Sequence, residues 1–90
     1  METEKIIFSG RVQGVGFRYS SKMFADELYL TGTIHNERNG DVITIIQGPV
    51  DTINQFIRGL PNKISPWAQI TKVERIKLSD TTVYHDFRII

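Results

Sequence analysis

The chain has 90 residues, a formal charge of +1 at neutral pH and no cysteine, and hydrophobic residues make up 40% of it. The length fits a single domain, residues 1–90, and this apolar fraction with so little net charge excludes a disordered chain. The charge also excludes a broad cationic surface for nucleic acid or anionic membrane, and the lack of cysteine excludes disulfides and thiolate chemistry.

Neither a membrane span nor a targeting segment is visible in the sequence. No apolar run approaches the ~20 residues that would cross a bilayer. The acidic N-terminal segment, residues 1–5, has no signal-peptide pattern. We therefore expect a cytoplasmic protein with no membrane partner, and we expect it to be a monomer.

The first predicted elements are a strand, a glycine-rich loop and a helix. Ile6-Ile7-Phe8 is a run of strand-forming residues that ends at Gly10, where the loop 10–17 begins. No Gly or Pro occurs from Arg18 to about Leu30. Apolar residues recur there at helical spacing: Phe24, Ala25 and Leu28. This spacing predicts the first helix.

A β-hairpin is predicted next. Thr33–Asn36 forms its first strand, and the β-branched segment Asp41–Gln47 forms its second. Asn39-Gly40 predicts a type I′ turn between them, since both residue types tolerate positive φ. Gly48-Pro49 ends the second strand.

The rest of the chain predicts one more helix and two strands. The apolar face of 50–60 predicts a helix that Pro61 stops. A loop at 64–69 leads to a strand at Ile70–Leu78. A turn-rich segment, 79–82, then precedes a short last strand, Phe87–Ile89.

The predicted order is β-α-β-β-α-β plus a short terminal strand. This order indicates an α+β protein with a ferredoxin-like α/β sandwich, in which an antiparallel sheet carries two helices on one face. The same topology supports many unrelated activities, so the function has to be argued from a site.

The loop before the first helix has features that favour an anion. Gly14 and Gly16 allow successive backbone N–H groups to turn toward one point, and the helix start adds the positive end of its dipole. Arg18 supplies a planar cation that suits phosphate oxygens. The alternative is that the glycines only form a tight loop and Arg18 is a solvated side chain, and spacing alone does not decide between the two.

Two motifs resemble those of the acylphosphatase family. Residues 10–18, Gly-Arg-Val-Gln-Gly-Val-Gly-Phe-Arg, fill every fixed position of the family's pattern Gly-x-Val-Gln-Gly-Val-x-Phe-Arg. The second pattern, Gly-aromatic-x-x-Asn-x-x-x-Gly-x-Val-x-x-x-x-x-Gly, is matched at Gly32, Asn36, Gly40, Val42 and Gly48. Two motifs in the right order are not expected to match by chance. The resemblance covers the whole chain.

The sequence departs from the family's pattern at a few positions. Thr33 replaces a usual aromatic residue, His35 a usual Lys or Arg, Ile34 a more frequent Val or Ala, and Phe8 an aliphatic residue. These departures leave open how far packing, surface charge and rate follow the family's, and both residues that the family's chemistry requires are in place.

The resemblance implies a hydrolase that cleaves acyl phosphates to carboxylate and inorganic phosphate. It implies that Arg18 binds the phosphate, that Asn36 positions the attacking water, and that neither a metal ion nor a cofactor is needed. The phosphate-binding loop would consist of Gln13, Gly14, Val15, Gly16 and Phe17. An amide side chain with one acceptor and two donors suits the orientation of a water.

Three other side chains invite a role in the site. Strand alternation places His35 on the face opposite Asn36, which indicates a surface residue. His85 has no partner at metal-ligand spacing. Tyr19 follows the key arginine, and both lining of the site and packing in the core are open for it.

Two other functions compete with hydrolysis. An RNA-recognition module shares the topology, yet it would display aromatic residues on its central strands, and Val42–Ile46 contains none. The second competitor is a regulatory or carrier domain that binds phosphate without turnover. The substrate expected here is a small-molecule acyl phosphate, with no nucleic-acid partner.

Overall fold

The structure, a computed structural model, describes residues 1–79 and 82–90. Asp80 and Thr81, which belong to the turn predicted at 79–82, lie outside the described residues. The elements in chain order are β1 (Glu2–Arg11), α1 (Phe17–Glu27), β2 (Thr31–Asn36), β3 (Val42–Gly48), α2 (Val50–Gly59), a 3₁₀ turn (Leu60–Asn62), β4 (Gln69–Leu78) and β5 (Phe87–Ile89).

The five strands form one sheet in the order β4-β1-β3-β2-β5. The first four strands pair antiparallel, as predicted for a ferredoxin-like sheet. The terminal strand β5 instead runs parallel to β2, with Ile34 in register with Ile89. The predicted α+β class is confirmed, and the sheet is mixed rather than wholly antiparallel.

The core lies between one face of the sheet and the two helices. Alternate residues of β1 and β3 are buried, as the period of a strand with one covered face requires. Phe24 of α1 stacks on Phe56 of α2 with ring centroids 5.7 Å apart. Burial of such a side chain contributes about 1.5–3 kcal/mol, so this shared layer fixes both helices on the sheet.

Strand β1 begins earlier than the apolar run Ile6–Phe8 predicts. Its polar first residues are held because β3 and β4 pair with it on both sides. Glu4 is buried and accepts two hydrogen bonds from Arg75 of β4, at 2.7 and 2.8 Å. The hydrogen bond with Glu4 raises the pKa of Arg75. A charge pair between strands gives no apolar signal in the sequence, which is why the pattern missed this part of β1.

The hairpin between β2 and β3 is confirmed, but the predicted type I′ turn is wrong. Its turn spans Glu37 to Gly40, closed by a 3.2 Å hydrogen bond from Gly40 N to Glu37 O. Only Gly40 has a positive φ, of 98°, whereas type I′ requires positive φ at both Asn39 and Gly40. The Asn39 side chain instead accepts a hydrogen bond from Asp41 N at 3.0 Å. The result is a three-residue loop with one left-handed residue at its end.

Helix α1 ends in a Schellman arrangement. Tyr29 N donates to Asp26 O at 3.1 Å, and Leu30 N donates to Ala25 O at 2.9 Å. The residue that turns the chain is Tyr29, with φ of 58° and 91% of its surface exposed. Glycine is the usual residue at this position because a Cβ is unfavourable in the left-handed conformation.

Tyr29→Gly is therefore expected to raise the free energy of unfolding by about 0.5–1 kcal/mol. This net value already takes into account that glycine has more conformational entropy than tyrosine in the unfolded chain. Chemical denaturation measures the difference. Asp26→Gly, which places glycine inside the helix, is the opposing control and should destabilise by about 0.5–1 kcal/mol, through its lower helix propensity and the loss of the ion pair with Lys22. A Tyr29→Gly protein less stable than the parent would contradict this account of the helix end.

Candidate active site

The loop between β1 and α1 is held by its apolar residues. Val12 and Phe17 are buried, and Val15 packs partly against the core. The Phe17 ring meets Phe8 of β1 edge to face, with centroids 5.2 Å apart. This anchoring fixes both ends of the loop and the first residue of α1 on the sheet.

Two glycines give the loop its curvature. Gly14 has φ of 74° and Gly16 has φ of 76°, while Val15 between them has no positive φ. Alternation of this kind turns successive N–H groups toward one concave side, where an anion is favoured. A Cβ at either glycine would meet no atom within 4 Å, so the backbone conformation, not lack of space, demands glycine here.

The start of α1 adds further donors. The first backbone bond of the helix runs from Ser20 N to Gly16 O at 3.0 Å. The N–H groups of residues 17–19 precede it, and no side chain of the N-cap residue bonds to them. No acidic residue lies in this first turn. The positive end of the helix therefore remains uncompensated beside the glycine loop.

A surface cavity of about 180 Å³ lies where the loop and the helix start meet. Its walls are Val12, Gly14, Gly16, Phe17, Arg18, Tyr19 and Ile89. Arg18 is the one charged side chain among them, and it forms no ion pair with any residue in the described ranges 1–79 and 82–90. The cavity thus combines an unpaired cation with inward-turned backbone donors.

Asn36 is the last residue of β2, on the side of the sheet where the cavity lies. It stands two residues beyond Ile34, which is in register with the cavity residue Ile89, and so points to the same face of β2 as Ile34. Its Oδ1 atom is buried and has no hydrogen-bond partner among the described residues. Asn36 does not line the cavity itself. The unpaired acceptor thus lies on the face of the sheet that the cavity residue Ile89 shares.

Gln13 connects the loop to the hairpin that follows Asn36. Its Nε2 donates to Glu37 O at 2.6 Å and to Asp41 O at 2.9 Å, across 24 and 28 residues of sequence. Both carbonyls belong to the closed end of the hairpin. The Gln13 side chain does not line the cavity, so its contacts position the loop against the strand that carries Asn36.

Gln13→Ala is expected to destabilise the protein by about 1–3 kcal/mol, because two hydrogen bonds of about 0.5–1.5 kcal/mol each are lost, while each carbonyl keeps one backbone donor. Gln13→Glu, of almost the same shape, should be no more stable than Gln13→Ala, since a carboxylate cannot donate to them. Gln55→Ala, an exposed change on α2, is the control. Denaturation curves compare the three, and stability unchanged in both Gln13 variants would remove this connection from the account of the site.

The structure places the other candidate residues in different surroundings. His35 Nε2 pairs with Glu37 Oε1 at 2.8 Å instead of approaching Arg18. Tyr19 is 64% exposed and lines the cavity, so packing in the core is the wrong alternative for it. Ile89 was not recognised from the sequence as a residue of the site. No local signal marks it, because its place depends on the parallel pairing of β5 with β2.

Two further properties concern the described part of the chain. Within residues 1–79 and 82–90, no group of three His, Cys, Asp or Glu side chains is placed to hold a metal ion. No helix in those ranges is long and apolar enough to cross a membrane.

Comparison with known proteins gives consistent matches over nearly the whole chain. The sequence model of the acylphosphatase family matches residues 4–89. An acylphosphatase of Latilactobacillus sakei is 38% identical, over 90% of this chain and 88% of its own. The crystal structure of acylphosphatase from Bacillus subtilis superposes with a TM-score of 0.92 at 34% identity, covering 100% of this chain and 99% of that one. The T. kodakarensis HypF structure gives 0.89 at 28% identity, over 100% of this chain but 12% of that protein.

Proposed function

The chain belongs to the acylphosphatase family of enzymes, and on that premise we propose that it hydrolyses acyl phosphates without a metal ion, using Arg18 and Asn36. The observation that carries the proposal is the unpaired Arg18 guanidinium in a cavity that the glycine loop and the start of α1 border. Such a cavity selects a compact anion with several oxygens, and the phosphoryl end of an acyl phosphate has that shape.

The phosphoryl group is bound by charge and by position. The guanidinium provides two parallel donors to phosphate oxygens, and the N–H groups of the loop and the helix start provide the rest. Phosphoryl transfer passes through a loose transition state in which charge lies on the equatorial oxygens. Donors fixed in advance around those oxygens lower the barrier without reorganisation during the reaction.

Asn36 orients the attacking water. Its buried Oδ1 accepts a hydrogen bond from the water, and this aims the water's lone pair at phosphorus. The water oxygen forms the new bond to phosphorus while the bond from phosphorus to the carboxyl oxygen breaks. The products are a carboxylate and inorganic phosphate.

The water's proton passes to a phosphate oxygen of the substrate. A carboxylate is a good leaving group, so the reaction needs neither a strong general base nor an acid to protonate the leaving oxygen. This matches a cavity whose walls contain Arg18 as their one charged side chain in the described ranges, with no histidine or carboxylate.

The test is release of inorganic phosphate from acetyl phosphate by the purified protein in the presence of EDTA. We expect turnover at the same rate with and without the chelator. A folded protein that gives no turnover above the spontaneous rate would overturn the proposal. Loss of activity in EDTA, restored by a divalent cation, would overturn its metal-independent part.

A second function, binding of phosphate without turnover, has one observation in its favour. The HypF protein matches this chain over 12% of its own length, so a domain of this fold also occurs inside a much larger protein. The same assay decides between the two functions. Binding of inorganic phosphate without hydrolysis of acetyl phosphate would establish the second.

RNA binding receives less support from the arrangement of the sheet. An RNA-recognition module of this fold would carry aromatic residues that stack on bases on its two central strands, on the face of the sheet that the helices leave uncovered. Strand β3 has no aromatic residue, and the one on β1, Phe8, is fully buried against Phe17. We expect the protein not to bind a radiolabelled or fluorescent RNA at low salt.

A further inference from the structure

A second cavity, of about 150 Å³, lies along α1 next to the first. Its walls are Tyr19, Ser20, Met23, Phe24, Glu27 and Lys63. Tyr19 lines both cavities, so the two meet at this residue. We call this second cavity the α1 groove.

The α1 groove has apolar walls at Tyr19, Met23 and Phe24 and charged residues at Glu27 and Lys63. Tyr19 and Met23 are four residues apart, so they lie one above the other on α1, and Met23 is 48% exposed. Lys63 lies 5.1 Å above the Phe24 ring and 3.5 Å from Glu27, which fixes this cation at the end away from the first cavity. Two large exposed apolar side chains together mark a surface that gains from being covered.

The chemistry of an acyl phosphate connects the two cavities. Its phosphoryl group occupies the first cavity under the proposed function, and its acyl carbon is one oxygen atom away from phosphorus. The acyl group must therefore leave that cavity at the rim. Tyr19 is the rim residue that continues into the α1 groove, since no other wall residue of the first cavity also lines that groove.

We propose that the α1 groove binds the acyl group, with Tyr19 and Met23 as specificity-determining residues that favour extended apolar acyl chains over acetyl. The inference rests on the proposed function. Each methylene that is about 40% removed from water should improve binding about 1.8-fold, so the four additional methylenes of hexanoyl phosphate over acetyl phosphate should give about tenfold. The groove contacts the acyl chain equally in the ground state and in the transition state. The longer chain should therefore lower KM and leave kcat unchanged.

The experiment measures kcat and KM for acetyl, butanoyl and hexanoyl phosphate, whose carboxylate leaving groups are almost equally reactive. We expect kcat/KM to rise about tenfold from acetyl to hexanoyl phosphate in the parent protein. Tyr19→Ala and Met23→Ala should each reduce this rise to about threefold. Tyr29→Ala removes an exposed tyrosine beyond the end of the same helix, and it should leave the tenfold rise intact.

The outcomes separate this inference from the proposed function. If the parent hydrolyses all three substrates with equal kcat/KM, the α1 groove does not bind the acyl group, and the hydrolase function stands. If Tyr19→Ala and Met23→Ala lower all three equally, they act on folding or on the phosphate site, and the inference is again overturned. If no substrate is hydrolysed, the proposed function itself fails.

Discussion

Arg18→Ala should lower kcat/KM for acetyl phosphate by about 10³-fold or more, because it removes the one charged donor from the phosphate cavity. An arginine that contacts a transferring phosphoryl group contributes 10³–10⁵-fold in comparable reactions, and a single fixed donor about 10²–10³-fold. Steady-state phosphate release measures the loss. Arg18→Lys should recover only part of it, because an ammonium group cannot make the two parallel bonds of the guanidinium.

Two controls make the Arg18 result specific. Arg58→Ala removes an exposed arginine at the end of α2, far along the chain from the loop, and should change kcat/KM by less than about twofold. Inorganic phosphate should raise the unfolding temperature of the parent protein and of Arg58→Ala, but not that of Arg18→Ala, since only a binding protein gains stability from its ligand. An Arg18→Ala protein that is folded and keeps a third of its activity would refute the phosphate-binding role.

Asn36→Leu should lower kcat by about 10²-fold or more while the protein becomes no less stable. The loss of rate follows from the loss of the acceptor that aims the water. The effect on stability has the opposite sign, because the buried Oδ1 has no partner among the described residues and an unsatisfied buried acceptor costs about 1–3 kcal/mol. Kinetics and chemical denaturation on the same preparations test both parts.

This opposition of activity and stability distinguishes a positioning amide from a structural one. A structural Asn36 would lose stability and activity together. Binding of inorganic phosphate should stay within about threefold of the parent, since the proposed mechanism assigns the water to Asn36 and the phosphate to Arg18. Asn62→Leu, at an exposed asparagine after α2, is the matched control and should leave kcat unchanged. An Asn36→Leu protein with more than half of the parent kcat would exclude the water-orienting role.

The local part of the site follows from the sequence. The nine residues 10–18 contain the glycines that must adopt positive φ, the apolar residues that anchor the loop and the arginine at the helix start. Each of these properties depends on residue type and close spacing, so the pattern predicts the loop itself, while its anion-binding role is implied by the family resemblance of the motif. The element order, the confirmed α+β class and the confirmed family also follow from the sequence.

Other features depend on which strands pair and in which register. The parallel pairing of β5 with β2 brings Ile89 to the cavity wall. The hydrogen bonds of Gln13 join segments 24 and 28 residues apart. The turn at Asn39-Gly40 adopts the conformation that the closing pair of Glu37 and Asp41 allows, rather than the one its dipeptide favours.

The residue types thus determined the binding loop and the order of elements, because propensity, turn chemistry and periodicity act over a few neighbouring residues. Only the tertiary structure decided that Tyr19 is exposed and lines two cavities, that Gln13 bridges to the hairpin and that Asn36 keeps a buried oxygen without a partner among the described residues. These three facts arise from contacts between distant segments, and the geometry of such contacts is set by sheet register and core packing, which no local pattern encodes.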